Sequence, residues 1–457
     1  MTDGQSRSSG GDRSSLFAGD PGTPAAALAR ECLAAGVAAA RPARAVADRV
    51  TVDDGRLHLT GRHRAATVSL GDHDRLLLVG GGKAARGLTE ALVDTLAAAN
   101  ATPDGGTVLV PPEDTGCRQR VGFVAGGHPT PTPGGVAATR DAVAALDDAG
   151  EETLVFAPVT GGGSALLAAP VPAVGLSALQ SVTRRLLDAG ASVDELNAVR
   201  RALSTVKGGR LAARAAPARV VGVVVSDVVG DDPAVVASGP TVPPPPDSGD
   251  PLAVLRRYDV DTPRVRAFLR ARNREPPATD TAETVVIASG VRALAAARDH
   301  ARARGADAQV LARGVTGEAR RCGRRAGALA ATVADCGDPT RERPTVLLAG
   351  GETTVSVTGD GVGGPNCEYV TGAALELAQR GADASTVVAA VDTDGHDGST
   401  DAAGGLVSGA TAAEPERARR AITDNDSLGW LRAVGAALHS GATGTNVDDL
   451  RVLVVAP

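Results

Sequence analysis

A chain of 457 residues is longer than one ordinary domain, so two are expected. Apolar content of 43% supplies a soluble core, but only 2% is aromatic, so that core must be Val, Leu and Ala, and base-stacking platforms for single-stranded nucleic acid are disfavoured. The formal net charge of -6 comes without a basic stripe, which argues against nucleic acid and anionic membrane as partners.

Residues 1–23, rich in Ser, Gly and Asp, are expected to be a disordered tail without a secretory signal. The stretch 25–50 reads as helical. A short strand at 76–79 stops at glycines and is followed by helical spacing over 84–99, the opening of a βαβ unit. The alternation continues with strands at 106–110 and 153–157, helices at 137–149, 176–189 and within 194–215, and a strand at 219–225. It implies a largely parallel sheet covered on both faces. The proline run from Pro243 to Pro246 cannot continue a helix or central strand, and the domain boundary is placed there. A second series runs through strands at 284–288, 308–311, 345–349, 354–357, 386–390 and 451–455, with helices at 291–303 and after Gly317. Strands on either side of Gly350-Gly351 suggest a hairpin and a mixed sheet. No apolar run reaches the roughly 20 residues of a membrane span. The five cysteines are scattered without zinc-ligand spacing and read as reduced cytoplasmic thiols.

Of 47 basic residues only two, Lys83 and Lys207, are lysine, and both adjoin glycines. Lysine is a compact point charge, and a glycine turn lets backbone N–H groups approach an anion. The loop Gly80-Gly81-Gly82-Lys83 also satisfies the dinucleotide fingerprint G-x-G-x-x-A, but the acidic residue expected to close the next strand is missing; Glu113 and Asp114 come late. Phosphate or carboxylate contact, dinucleotide binding and a plain tight turn are its three readings. Gly161-Gly162-Gly163-Ser164 is a second anion cradle, with Ser164 as the helix N-cap, or else a tight turn. Asp227, Asp231 and Asp232 follow a strand and are Mg²⁺ candidates, set against an acidic turn of capping aspartates. The stretch 392–401 is dense in aspartate. It lacks the bidentate Glu of a calcium loop, and a carboxylate within it could take a substrate hydroxyl proton. Glu352, Asn366 and Glu368 are metal or ribose candidates, and His128 and His396 are weighed between substrate contact and structure.

These loops together resemble the glycerate 2-kinases that carry a C-terminal MOFRL domain. The likeness rests on Gly80-Gly81-Gly82-Lys83-Ala84-Ala85, Gly126-Gly127-His128-Pro129, Gly161-Gly162-Gly163-Ser164-Ala165-Leu166, Asn197-Ala198-Val199-Arg200-Arg201 and Lys207-Gly208-Gly209-Arg210-Leu211-Ala212. It continues through Ser226-Asp227-Val228-Val229-Gly230-Asp231-Asp232, Ser238-Gly239-Pro240-Thr241, Gly350-Gly351-Glu352-Thr353-Thr354, Asp394-Gly395-His396-Asp397-Gly398-Ser399-Thr400-Asp401 and Thr443-Gly444-Thr445-Asn446-Val447.

The resemblance implies two three-layer α/β/α domains, the first Rossmann-like and mostly parallel, the second mixed, with a cleft between them. Their expected bounds are 24–242 and 283–457, with a connector over 243–282. It implies ATP- and Mg²⁺-dependent phosphorylation of D-glycerate at its 2-hydroxyl in the cytoplasm, by a monomer or homodimer; the alternative is an NAD(P)H-dependent hydroxypyruvate reductase. It associates Lys83 and Asp394 with catalysis; from the loop chemistry above, substrate contact is expected at His128, Arg200, Arg201 and Asp397. Gly81, Gly82, Gly161, Gly162, Gly163, Ser164, Lys207 and Asn366 would hold ATP; Asp227, Asp231, Asp232 and Glu352 would hold Mg²⁺. Pro365 stands where many members have arginine, and Cys367 where glutamine is common.

Overall fold

The computed structural model describes residues 16–17, 22–245, 248–260, 262–272, 277, 279–336 and 342–457. Most of the expected tail, together with Pro246 and Asp247 of the connector, lies outside the described residues. The chain divides into two units, one of residues 40–289 and 444–447, the other of residues 1–39, 290–443 and 448–457.

The first unit carries a small antiparallel sheet of β1 (Val50–Asp53), β2 (Arg56–Thr60) and β3 (Ala65–Ser69). Its main sheet contains β4 (Arg75–Gly81), β5 (Gly105–Val110), β6 (Gly116–Arg118), β7 (Val121–Ala125), β8 (Thr153–Thr160), β9 (Arg219–Val225) and β10 (Ala282–Ala288). The order is β10-β9-β8-β4-β5-β7-β6, all parallel except the β6–β7 edge. Strand β8 is buried along its whole length, as a central parallel strand requires. Leu77, Val79, Val155 and Val224 form one core with α4 (Pro133–Ala144) and α8 (Arg210–Ala215). A satellite core joins α6 (Leu176–Asp188) and α7 (Val193–Ala202) to α9 (Pro251–Arg257) and α10 (Pro263–Ala271). A capping box of Ser192 and Glu195 starts α7.

The second unit is built on β11 (Asp307–Ala312), β12 (Thr345–Gly351), β13 (Thr386–Asp392), β14 (Gly404–Ser408), β15 (Ala437–Leu438) and β16 (Asp449–Val455). Their order is β11-β12-β16-β13-β14-β15, with only β11–β12 parallel. Alternation along β13 divides the layers. Val388 and Ala390 face α12 (Ala319–Asp335) and α13 (Pro365–Gln379), while Val387, Ala389 and Val391 face α1 (Pro24–Ala40) and α11 (Gly290–Ala303).

Three expectations are corrected. The strand at 284–288 does not open the second sheet; as β10 it extends the first by parallel pairing with β9. Residues 24–39 belong to the second unit, because Leu28, Cys32, Leu33 and Val37 of α1 fill one face of its sheet. No hairpin forms at Gly350-Gly351: Thr354 makes one isolated bridge to Glu318, and the antiparallel character comes from β16 inserted between β12 and β13.

Arg451 of β16 is wholly buried. It donates to the Asp449 carboxylate, to the Gly351 carbonyl at 3.3 Å and to Thr353 Oγ1 at 3.1 Å, and its guanidinium lies 4.8 Å from the Tyr369 ring centroid. Arg451→Met strands a buried carboxylate and should cost about 3–5 kcal/mol of stability, part of which Asp449→Asn should restore in the double variant. Urea unfolding of the single and double variants checks this; simple additivity of the two losses refutes the coupling.

Candidate active site

In the first sheet β4 leads to β5 on one side and has β8 on the other, so the β4–β8 boundary is a topological switch point. Ligands of open α/β sheets bind at the carboxyl ends of strands at such a point. The Lys83 loop after β4 and the glycine loop after β8 meet there. Lys83 N donates to Gly161 O at 2.7 Å and Ala84 N to Thr160 Oγ1 at 3.1 Å. Gly162 is left-handed (φ 77°), and a Cβ on it would lie 2.8 Å from Lys83 Cγ and 3.5 Å from His128 Nε2. The Lys83 stem and the His128 ring therefore flank the same glycine, and the bare backbone is what leaves them room. At Gly161 a side chain would overlap the Asp227 carboxylate. The structure thus brings together Gly81, Gly82, Lys83, His128, Gly161–Gly163 and Asp227.

Ser164 does not cap the helix: Gly162 holds that position, and Ser164 lies inside the short α5 (Gly163–Leu166). Its Oγ lies 2.8 Å from Ser238 Oγ, which donates to Asn197 Oδ1 at 2.7 Å. Ala237, Ser238 and Gly239 are consecutive left-handed residues (φ 51°, 62° and 65°). For a non-glycine residue this conformation costs about 1–2 kcal/mol, so the turn needs holding. Lys207 holds it. Its ammonium is buried and donates to Leu167 O at 3.1 Å and to Gly163 O and Ala237 O at 3.4 Å. Gly208 N and Gly209 N bond Ser238 O and Gly239 O. The expected contact of Lys207 with nucleotide phosphates is therefore corrected: the ammonium is spent beneath the glycine loop. Burial, and after it the Arg200 charge, bring its pKa down to about 7.

Arg201 is likewise turned to structure, buried and donating to Ala234 O at 3.3 Å. Arg200 is half-buried, has no hydrogen-bond or ion-pair partner among the described residues, and lines a pocket with Ser164 and Lys207. Burial lowers its pKa.

Asp231 is buried and paired: Arg62 Nη1 and Ser289 Oγ each donate to its Oδ2 at 3.0 Å. Asp232 accepts from Ala234 N at 2.9 Å through one oxygen only. Among the described residues no group of three or more His, Cys, Asp or Glu side chains is placed to hold one metal ion. A Mg²⁺ ion arriving on nucleotide phosphates needs only one or two carboxylates. Asp227, whose carboxylate lies against the Gly161 backbone, and Asp232 are the candidates for that role.

In the second unit, the sheet register puts Gly351, Asp449 and Asp392 side by side. The Glu352 loop and the Asp394 loop therefore leave the sheet at the same end of its strands. Asp394 is half-buried; its Oδ1 accepts from His396 N at 2.8 Å, and its amide donates to Asp392 Oδ1 at 2.9 Å. Glu352 is exposed. Asp397 and Asn366 face inward, against expectation. The Asp397 carboxylate accepts from Asn366 N at 2.8 Å, Cys367 N at 2.7 Å and Asn366 Nδ2 at 3.2 Å, so it caps α13. Asn366 Nδ2 also donates to Asp449 Oδ1 at 2.7 Å. These buried positions carry no mark in the sequence, since an aspartate that caps a helix thirty residues upstream looks like any loop carboxylate. The partners of Asp231 went unread for the same reason.

Burial raises Asp397 to about 6 in spite of those three donors. Its folded pKa thus exceeds the unfolded one, so stability should fall as pH rises from about 4 to about 6. Urea unfolding across that range should show a shallower fall in Asp397→Asn; an unchanged slope assigns the titration elsewhere.

Residues 28–270 match a family described as a domain of unknown function, DUF4147, and residues 345–449 match the MOFRL family. A D-glycerate 2-kinase of Thermotoga maritima is 37% identical over 82% of this chain and 90% of its own length. A putative hydroxypyruvate reductase of Agrobacterium vitis is 36% identical over 83% and 87%. The crystal structure of a glycerate kinase from Thermotoga maritima superposes with a TM-score of 0.79 at 33% identity, covering 94% of this chain and 99% of that one. With both family matches in chain order and the sheet topology shared along nearly its whole length, the chain belongs to the MOFRL-domain glycerate 2-kinase family.

Proposed function

We propose that the protein transfers the γ-phosphoryl group of ATP to the 2-hydroxyl of D-glycerate, giving 2-phosphoglycerate and ADP. The observation that carries this reading is the Lys83 arrangement, pinned to Gly161 and laid beside Gly162 and His128 at the switch point. Phosphoryl transfer needs positioned charge and open backbone donors more than covalent chemistry. Gly81, Gly82 and the Gly161–Ser164 loop line the phosphates, and Lys83 meets the transferring group. His128 contacts the acid, and Arg200 supplies a fixed charge for its carboxylate. Asp394 takes the hydroxyl proton as the new O–P bond forms and the bond to the ADP oxygen breaks. Mg²⁺, when bound, neutralises phosphate charge, with Asp227 and Asp232 as its holders.

The Thermotoga maritima relative, a D-glycerate 2-kinase, supports the acid and the position phosphorylated. The reductase reading draws on the glycine fingerprint and on the Agrobacterium vitis relative. Against it, β5 ends at Val110 and runs into Pro111 and Pro112, with no acid closing the strand for a ribose hydroxyl. We place the enzyme in the cytoplasm, in keeping with its unpaired cysteines.

Lys83→Ala and Lys83→Arg should each lower kcat about 10³-fold, and Asp394→Asn about 10²–10⁴-fold, with melting temperatures unchanged. An ADP-coupled assay with D-glycerate, and ³¹P NMR of the product, measure both activity and position. No ADP from the parent protein sinks the proposal, a 3-phosphoglycerate signal overturns the position, and NADH oxidation with hydroxypyruvate would install the reductase.

A further inference from the structure

The pocket beside Arg200 has mostly apolar walls, with Pro129, Pro131, Ala165, Ala168 and Leu179 among its lining. It adjoins the Lys83 and His128 group, since Pro129 follows His128 and Ser164 follows Gly163 in the chain. Its polar side chains are those of Ser164, Thr183, Arg200, Ser204 and Lys207. Three of them are engaged within the protein. Ser164 Oγ lies 2.8 Å from Ser238 Oγ, Ser204 Oγ accepts from the Val206 and Lys207 amides at 3.2 and 3.3 Å, and the Lys207 ammonium holds its three carbonyls. The Arg200 guanidinium and the Thr183 hydroxyl have no partner among the described residues.

The bare hydroxyl of Thr183 is unusual for its place. A threonine inside a helix can bond back to the carbonyl four residues earlier, and Thr89, Thr95, Thr139, Thr371 and Thr423 all do so. Thr183, in the middle of α6 and half-buried, makes no such bond. It stands one turn from Leu179, and both line the pocket. The helix itself is held firmly. Leu179, Val182 and Leu186 pack with Leu196 and Val199 of α7, the helix that carries Arg200, and Gln180 Nε2 donates to Pro131 O at 2.7 Å, tying the loop after His128 to α6.

We propose that Thr183 is a specificity-determining residue whose hydroxyl bonds the 3-hydroxyl of the bound acid. This rests on the glycerate kinase reading and adds a residue to it. Of the three polar groups of D-glycerate, the 2-hydroxyl reacts and the carboxylate goes to Arg200. The 3-hydroxyl then enters an apolar enclosure, where burial without a partner is costly. A threonine hydroxyl can donate to it or accept from it. An acid with a methyl group in that place, D-lactate, suits the same walls but leaves Thr183 unpaired, so the site selects against it.

ADP-coupled rates with D-glycerate and with D-lactate test this in the parent, Thr183→Val and Thr183→Ser. D-lactate is read as a substrate or, where its turnover is too slow, as a competitive inhibitor of D-glycerate. Valine keeps the shape and removes the hydroxyl; serine keeps the hydroxyl. Thr183→Val should lose about 10-fold in kcat/KM for D-glycerate, mainly through KM, with D-lactate unaffected, and Thr183→Ser should keep the parent's preference. A loosened helix would weaken both acids together and leave their ratio as it was. An unchanged ratio in Thr183→Val, or a ratio in Thr183→Ser as low as in Thr183→Val, overturns the proposal. Turnover of D-glycerate by the parent with such a result leaves the kinase reading standing without it; no ADP from the parent removes both.

Discussion

A single ammonium group, bonded to three backbone carbonyls from two separated segments, underlies the glycine loop of the first unit. Lys207 joins the start of the glycine helix, its end, and the left-handed Ala237 turn. Each segment alone has reason to move. The glycine loop has little side-chain packing, and the turn holds two non-glycine residues at positive φ. Three tetrahedral donors on a flexible stem suit three carbonyls arriving from different directions, whereas a planar guanidinium presents its donors in one sheet. That geometry explains why lysine persists here in a chain that otherwise uses arginine.

Both units divide labour in the same way. Buried polar side chains set the loops, and less buried ones stand beside them. In the first unit Lys207, Asn197 and Ser238 are buried, while Lys83 is half-buried and His128 exposed. In the second, Asp397, Asn366 and Asp449 are buried around the start of α13, and Asp394 and Glu352 are the more open neighbours. A buried polar group with partners rigidifies, and one without them is costly, so such networks are all-or-nothing supports for a site.

Much of this was legible from residue pattern. The strand–glycine–helix units at β4 and β8 declared themselves through a valine- and leucine-rich run ending in glycines, and the loops that meet at the switch point were named from that pattern. Orientation was not legible. Lys207 and Lys83 both adjoin glycines, yet one points into the protein and the other toward the loop surface, a choice made by packing from the Ala237 turn. Asp397 and Asp394 share one loop and divide the same way, because the amides of α13 lie thirty residues upstream. Strand β10 and helix α1 were put in the wrong units since a strand or apolar helix does not carry the address of the sheet it joins. The small sheet of β1–β3 was missed because its strands are short and largely exposed.

The placement of α1 has a consequence for biosynthesis. This helix leaves the ribosome before the first unit, yet the apolar surface it covers belongs to β12, β13 and β16, which emerge last. During translation the first unit can close on nearly contiguous chain, whereas Leu28, Leu33 and Val37 must wait with their apolar stripe unmatched until roughly four hundred residues more have been made. The second unit is thus finished by the oldest piece of the polypeptide, and fragments beginning after residue 40 would leave its sheet face covered by α11 alone, with exposed apolar surface prone to self-association.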